Sequence, residues 1–224
     1  MMTTLAFDIY GTLIDTHGVR QALATLVGDK ATAFSQLWRD KQLEYTFRRG
    51  LMRLHADFTV CTQQALAYTN AALQTGLSPD AQSHLMTLYK TLPAFADVAT
   101  GLPVLQRDAL TLYAFSNGNA EMVTGLLQHA GIDEHFQGVV SVQPVSSYKP
   151  DPAVYRYFLD QAQVSADEAW MVSSNPFDVM GAKSAGMRAI WVRRDASAVF
   201  DPWEITPDAE VASIAEIADI VKPR

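Results

Sequence analysis

Leu5, Ala6, Phe7, Ile9 and Tyr10 form an apolar run broken only by Asp8 and closed by Gly11 and Thr12, the pattern of a buried strand that ends in a tight turn. From about residue 16 to 90 the period changes. The apolar positions of AFSQLWRDKQLEYTFRRGLMRLHADF and QQALAYTNAALQTGL recur at three- and four-residue intervals, with Gly28, Gly50 and the Gly76-Leu77-Ser78-Pro79 stretch as punctuation. That reads as a block of about four helices. After a loop at AFADVATGLP, short apolar strands are predicted at 111–115, 138–142, 169–173 and 188–192, with helix-length segments between them at 119–130, 151–162 and 177–185. The tail from Asp201 reads as a loop, a short strand near Val211 and a closing helix.

Strands and helices alternating at this spacing predict right-handed crossovers and a parallel sheet covered on both faces. The expected fold class is α/β, a Rossmann-like parallel-sheet core with an α-helical cap inserted after the first strand. Residues 1–15 and 91–224 would form the core and residues 16–90 the cap. No internal repeat or low-complexity stretch suggests a solenoid or a linker. Ligands of open parallel sheets bind outside the carboxyl ends of the strands, so the chemistry is sought there.

Composition narrows the partners. The 224 residues are 49% apolar and 18% charged, and a chain of that length buries roughly 70% of its unfolded surface, which excludes a disordered tail or a disulfide-stapled miniprotein. A net charge of −7, from 17 Lys+Arg against 24 Asp+Glu, would repel a phosphate backbone, so nucleic acid is not an expected partner. No run of about 18 apolar residues suggests a membrane span. The single cysteine, Cys61, cannot form an internal disulfide and is expected to pack. MMTTLAFDIY enters its strand without a basic leader segment, so the expected compartment is the cytoplasm. His17, His55, His84, His129 and His135 lack metal-ligand spacing. Arg48-Arg49 and Arg193-Arg194 are expected as solvated helix and strand ends.

Four predicted strand ends carry polar residues: Asp8 with Thr12, Ser116 with Asn117, the loop holding Lys149, and Ser173-Ser174-Asn175 with Asp178. Singly, each has a structural explanation. Asp8 reads equally as a turn-capping carboxylate, Ser116-Asn117-Gly118 as a helix N-cap, and Lys149-Pro150-Asp151-Pro152 as a helix entry capped by Asp151. Together, at one sheet edge, they supply a nucleophile, a hydroxyl donor, a fixed positive charge and a general base.

FDIYGTL at 7–13, SNG at 116–118, YKPDP at 148–152 and SSNPFD at 173–178 resemble the four motifs of the haloacid dehalogenase superfamily, in order and over nearly the whole chain. Phosphatases of that superfamily place a second Asp two residues after the nucleophile and hold Mg²⁺ partly with an acidic pair in the fourth motif. Here Tyr10 stands at the first position, and Ser174 or its neighbour replaces one of the pair, which suits metal-dependent phosphoryl transfer poorly. LWRDKQLEY at 37–45 followed by HADF at 55–58 resembles the cap of the metal-free L-2-haloacid dehalogenases.

That resemblance implies a small-molecule 2-haloacid substrate and no cofactor or metal. It implies Asp8 as the nucleophile that forms an ester with C2, Thr12 orienting it, and Arg39 with Asn175 around the leaving halide. Ser116 and backbone N–H groups around Asn117 would hold the substrate carboxylate, and Lys149 would keep Asp8 ionised. Asp178 would be the base that positions hydrolytic water, supported by Ser173 and Lys149. Tyr155 matches a family tyrosine thought to face the site, or is a half-buried helix residue. Tyr10, Leu43, Phe58 and Phe177 would form an apolar wall. Relatives often dimerise through cap helices, and LAYTNAALQTGL offers a candidate homodimer face.

Two positions depart from the family. Phe177 replaces a common Trp and would enlarge the pocket, and Asp40 replaces a common Gln. A carboxylate within ~4 Å of a bound anion costs on the order of 4 kcal/mol at an effective dielectric near 20. Asp40 therefore either points to solvent or favours a substrate with a cation beside its carboxylate. Three readings follow: a dehalogenase of short acids such as chloroacetate, fluoroacetate or 2-chloropropionate; a same-branch hydrolase of a non-halogenated acid such as azetidine-2-carboxylate; or a binding protein without turnover, against which the intact Asp8, Lys149 and Asp178 argue.

Overall fold

The computed structural model describes residues 3–107 and 110–221. Strands β1 (Thr4–Phe7), β2 (Thr111–Ser116), β3 (Gly138–Ser141), β4 (Ala169–Ser173), β5 (Arg188–Val192) and β6 (Ala209–Val211) form one sheet in the order β3-β2-β1-β4-β5-β6. Every neighbouring pair is parallel, as the alternation predicts. β1 lies at the centre, its Thr4–Phe7 paired with Thr111–Ala114 on one side and Ala169–Val172 on the other. From β1 the chain builds outward through β2 and β3, and from β4 it builds the other way. The carboxyl ends of β1 and β4 therefore flank the crevice where connections diverge.

Both faces of the sheet are covered, which is why β1 and β4 are buried at every residue and read as continuous apolar runs. Alternate side chains divide between two cores. Leu5, Phe7, Leu112, Val172 and Ile190 enter one, and Ala6, Phe115, Met171, Ala189 and Trp191 enter the other.

Helices α1 (His17–Val27), α2 (Ala31–Met52), α3 (Phe58–Ala72) and α4 (Pro79–Leu88) occupy the predicted helical block. Their Leu23, Phe34, Trp38, Leu66 and Leu85 are buried in the same cluster as one sheet face, so this insertion shares the core. Capping follows the local sequence. Asp57 accepts from the Thr59 N–H at 2.8 Å, and Ser78 caps α4 ahead of Pro79.

The segment read as a loop at 94–103 is a loop only to Asp97. Helix α5 runs Val98–Arg107 despite its Gly101 and Pro103, because Val98, Leu102 and Leu105 recur at helical spacing and are fully buried. Gly101 also permits a close approach, since a Cβ there would lie 2.9 Å from Ile214 Cγ2. Helices α6 (Ala120–His129), α7 (Pro152–Ala162) and α8 (Pro176–Ser184) fall where the spacing predicts. The α6 cap, however, is Asn119, which accepts from the Met122 N–H at 2.9 Å, and not the Ser116-Asn117-Gly118 stretch. The tail ends in a single turn and α9 (Ile217–Ile220); its last residues, 222–224, lie outside the described set. No helix among the described residues is long and apolar enough to cross a membrane.

Gly181 on α8 packs directly under α7: a Cβ there would lie 2.5 Å from the Tyr155 hydroxyl and 2.7 Å from Pro150 Cβ. Gly181→Ala is expected to lower the unfolding free energy by ~1–3 kcal/mol through overpacking. Urea denaturation measures this, and stability equal to the parent would mean that α7 and α8 separate at no cost.

Candidate active site

Asp8 follows β1 directly, and the chain then turns so tightly that the Ile9 carbonyl accepts from the Thr12, Leu13 and Ile14 N–H groups. Gly11 makes the turn with φ +82°, a region that side chains disfavour. The turn brings Thr12 back over Asp8, with Thr12 Oγ1 2.9 Å from Asp8 Oδ2. Ser174, after β4, fixes the hydroxyl from the other side by donating its N–H to Thr12 Oγ1 at 2.9 Å. Arg194 grips the Thr12 carbonyl through Nε at 3.0 Å and Nη2 at 2.7 Å and is held by Asp97 at 2.7 Å. Arg194 is thus no solvated strand end. Its side chain is only 13% exposed, and it anchors the turn that carries the carboxylate.

Lys149 is 1% exposed and lies between two carboxylates. Its Nζ is 3.3 Å from Asp8 Oδ1 and 2.9 Å from Asp178 Oδ2, and it donates to the Phe115 carbonyl at 2.8 Å. The Phe115 ring adds a cation–π contact at 4.2 Å. Asp178 is fully buried, and burial pushes its carboxyl above the usual aspartate range, opposed by Lys149 and raised further by the nearby Asp8 charge. Tyr155, also fully buried, donates to Asp178 Oδ1 at 2.8 Å. The tyrosine therefore acts on the carboxylate and is not half-buried.

Asn175 occupies the N-cap of α8 but makes no side-chain cap bond. Its Nδ2 donates to Asp8 Oδ2 at 2.8 Å, and its Oδ1 accepts from Arg39 Nη2 at 3.1 Å. Arg39, on α2, also donates to Gln42 Oε1 at 2.7 Å, and Gln42 Nε2 donates to Thr62 Oγ1 at 2.6 Å. A continuous polar chain therefore runs from α3 through α2 to Asp8. Burial lowers the Arg39 pKa, with nearby Tyr89, Asp8 and Asp40 opposing the shift.

A cavity of about 180 Å³ opens beside this chain, lined by Tyr10, Arg39, Gln42, Phe58, Tyr89 and Asn175 within and by Arg20 and Gln36 at its exposed mouth. Tyr10 and Tyr89 meet edge to face at 6.0 Å. Burial raises both phenol pKa values, that of Tyr89 to about 12, so both present neutral hydroxyls at pH 7.

Of the residues singled out from the sequence, Asp8, Thr12, Lys149, Asn175 and Asp178 are brought into one network, with Arg39 reaching it from α2. Tyr10 and Phe58 line the cavity as expected. Ser116 and Ser173 are buried alongside, but their hydroxyls accept from the Gly118 and Asn175 N–H groups, each at 3.1 Å. The Asn117 side chain is taken up by the Lys149 N–H at 2.9 Å and positions that loop.

Three expected pocket residues lie elsewhere. Asp40 is exposed and accepts from Gln36 Nε2 at 2.9 Å. Leu43 is half-buried and is absent from the cavity lining; Gln42, three residues from Arg39 on the helix, takes the wall position instead. Phe177 turns away from Asn175 and Asp178 to meet Phe47 at 5.5 Å, in a separate apolar groove. Gln42, Tyr89 and Arg194 were not legible as site residues. Helical spacing from Arg39 points to Gln42, whereas Tyr89 and Arg194 come from distant segments with no local signal.

A family profile for haloacid dehalogenase-like hydrolases matches residues 2–186. The chain is 35% identical over 216 residues to an (S)-2-haloacid dehalogenase of Pseudomonas sp. (strain YL), covering 96% of this chain and 93% of that protein. It is 34% identical over 217 residues to haloacetate dehalogenase H-2 of Moraxella sp. (strain B), covering 97% and 96%. The solved structure of L-2-haloacid dehalogenase from Xanthobacter autotrophicus with chloropropionic acid covalently bound matches with a TM-score of 0.87 at 30% identity, covering 97% of each chain.

Replacing the buried ammonium tests the network directly. Lys149→Met leaves Asp8 and Asp178 facing each other without a counter-charge, and is expected to cost ~3–5 kcal/mol near pH 7. Protonation relieves the repulsion, so the deficit relative to the parent should shrink as pH falls. Urea unfolding at pH 5 and pH 8 measures it, and a deficit independent of pH would place the cost in packing alone.

Proposed function

The chain belongs to the haloacid dehalogenase-like hydrolase family, and from that premise we propose that it hydrolyses short L-2-haloacids to 2-hydroxy acids through an ester on Asp8, without a metal ion. The observation that carries this reading is the Asp8 carboxylate itself, buried, hydrogen-bonded by Thr12 and Asn175, ion-paired with Lys149, and adjacent to a small cavity walled by Arg39. An anionic nucleophile held this way faces an electrophile with little water to displace.

In the first step an Asp8 oxygen forms a bond to C2 as the carbon–halogen bond breaks. The halide leaves with the bonding pair on the opposite side, and C2 inverts. Arg39 and Asn175 supply N–H donors for the departing anion, while Ser116 and backbone N–H groups around Asn117 hold the substrate carboxylate. In the second step water adds to the Asp8 carbonyl carbon and gives a proton to Asp178, which Tyr155 and Lys149 orient. Collapse of the tetrahedral species breaks its bond to the substrate oxygen, which takes the proton of the added hydroxyl; the 2-hydroxy acid leaves, the Asp8 carboxylate is restored, and Asp178 returns its proton to solvent. Ser173 positions Asn175 through its N–H.

Residues 16–90 act as a cap over a core of residues 1–15 and 91–224, and the 3.1 Å contact between Arg39 and Asn175 supports that division of labour. The reading includes a cytoplasmic homodimer, for which the exposed Ala67, Tyr68 and Ala71 on α3 are the candidate surface. An aminated substrate loses its motivation, since Asp40 faces solvent.

Halide release from 2-chloropropionate, unaffected by EDTA, is the expected activity; release from no haloacid overturns the reading. Asp178→Asn should form the ester but fail to hydrolyse it, so peptide mass analysis should find a propionate adduct on Asp8. An unmodified Asp8 in that variant would remove Asp178 from the hydrolytic step. The acid limb of turnover should lie above the ordinary aspartate range, because Asp178 must be ionised to act as base. Tyr155→Phe removes a hydrogen bond that favours the ionised form, so a pH–rate profile should show the limb moving to still higher pH. An unmoved limb would mean that Asp178 does not govern it.

A further inference from the structure

Thr12 stands where the turn after β1 becomes the stretch that leads into α1. The stretches that enter and leave helices α1 to α4 run side by side at this point. The Asp15 N–H donates to the Pro93 carbonyl at 2.8 Å, the Phe95 N–H donates to the Leu13 carbonyl at 2.9 Å, and Ile14 bridges to Ala94 antiparallel between them. A shift in either stretch is therefore passed to Leu13, the residue next to Thr12.

The Thr12 hydroxyl is sensitive to such a shift. It has one hydrogen and two acceptors within reach, Asp8 Oδ2 at 2.9 Å and Ser174 Oγ at 3.1 Å. The Ser174 N–H already occupies a lone pair of Thr12 Oγ1. The direction of the hydroxyl hydrogen thus depends on where the Thr12 backbone stands. With the hydrogen turned to Ser174, Asn175 Nδ2 would be left alone at Asp8 Oδ2.

Arg194, just beyond β5, holds that backbone. Its guanidinium engages all three nitrogens, with Nε and Nη2 on the Thr12 carbonyl and Nη1 on Asp97 Oδ1. The Phe95 ring lies 4.3 Å from its Cζ, and Asp97 is itself fixed because its Oδ2 accepts from the Ile214 N–H at 2.7 Å. A planar fork held on several sides defines a position in a way that a single flexible ammonium does not. Arg194 is not among the residues that line the cavity.

We propose that Arg194 is a positioning residue for the first chemical step: by holding the Thr12 carbonyl it directs the Thr12 hydroxyl to Asp8 and away from Ser174, and so fixes the orientation of the attacking carboxylate. The inference rests on the dehalogenase reading and assigns no contact with substrate. Loss of the clamp therefore slows bond formation at C2 and leaves binding of the haloacid intact.

The test is single-turnover halide release, with the full-length enzyme in excess over 2-chloropropionate. The proteins compared are the parent, Arg194→Gln, Arg194→Lys, Asp97→Asn, Thr12→Val and the Arg194→Lys/Thr12→Val double variant. Arg194→Gln is expected to slow halide release about ten- to a hundredfold, the scale of a small misplacement of reacting groups. The half-saturating concentration should change by less than about threefold, because the lost interaction acts in the transition state. Arg194→Lys keeps one donor and should retain an intermediate rate, and Asp97→Asn should act in the same direction. These two conservative variants decide the question if Arg194→Gln fails to fold. With Thr12→Val no hydroxyl remains to be directed, so adding Arg194→Lys should then change the rate by less than about twofold. An Arg194→Lys effect of the same factor in both backgrounds overturns the proposal, as does a raised half-saturating concentration at an unchanged maximal rate. Either result leaves the dehalogenase reading standing. A parent that releases no halide from this or any other haloacid overturns that reading, and the proposal with it.

Discussion

The ammonium of Lys149, wedged between the carboxylates of Asp8 and Asp178, is the interaction around which the molecule is arranged. Two carboxylates at that separation in a dry interior cannot both remain ionised without a cation, and a cation there is tolerable only with hydrogen bonds to replace its water. Lys149 finds one in the Phe115 carbonyl, while the Phe115 ring lies under its ammonium and the Asn117 side chain accepts from its backbone N–H. The pair of acids comes from the turn after β1 and from α8, and the lysine from the loop between β3 and α7, so the charge triad forms only when the sheet brings these segments together. The charge network is thereby assembled only in the folded chain.

Around that centre the side chains at the carboxyl ends of the strands divide between building loops and facing the cavity. Asn119 and Asp151 spend their oxygens capping α6 and α7. Asn175 stands at the corresponding position of α8 and does not cap it, and its amide instead joins Asp8 to Arg39. A cap bond contributes on the order of 1 kcal/mol, so an N-cap residue turned elsewhere marks a stability cost accepted at a working site.

The helical insertion is tied to the rest of the molecule by both polar and apolar contacts. Asn119 Nδ2 donates to Asp57 Oδ2 at 3.0 Å, and the Tyr148 hydroxyl exchanges hydrogen bonds with both backbone groups of Ala56. Tyr148 immediately precedes Lys149, so the position of the insertion and that of the buried ammonium are mechanically linked. Phe34, Trp38 and Leu66 meanwhile share the sheet's own core. Arg39 is thus presented to Asp8 from a helix braced on both sides, which is the condition for a cavity of fixed size.

Local pattern alone determined the strands, most helix positions and the motif residues at the strand ends, because burial on both faces of a parallel sheet leaves continuous apolar runs that only a turn or a functional residue interrupts. It misjudged α5, where Gly101 and Pro103 outweighed a helical period that packing against Ile214 makes decisive. What a side chain faces was less legible. Asp40, Leu43 and Phe177 sit beside true site residues in the chain yet point away from the cavity, since neighbours on a helix differ by about 100° in direction. Arg194 and Tyr89 enter the site from segments that no local pattern connects to Asp8. The candidate reacting groups were legible in the sequence, because chemistry demands particular side chains; their partners, burial and the shape of the cavity were decided only by the tertiary structure, because those depend on which distant segments the closed core brings into contact.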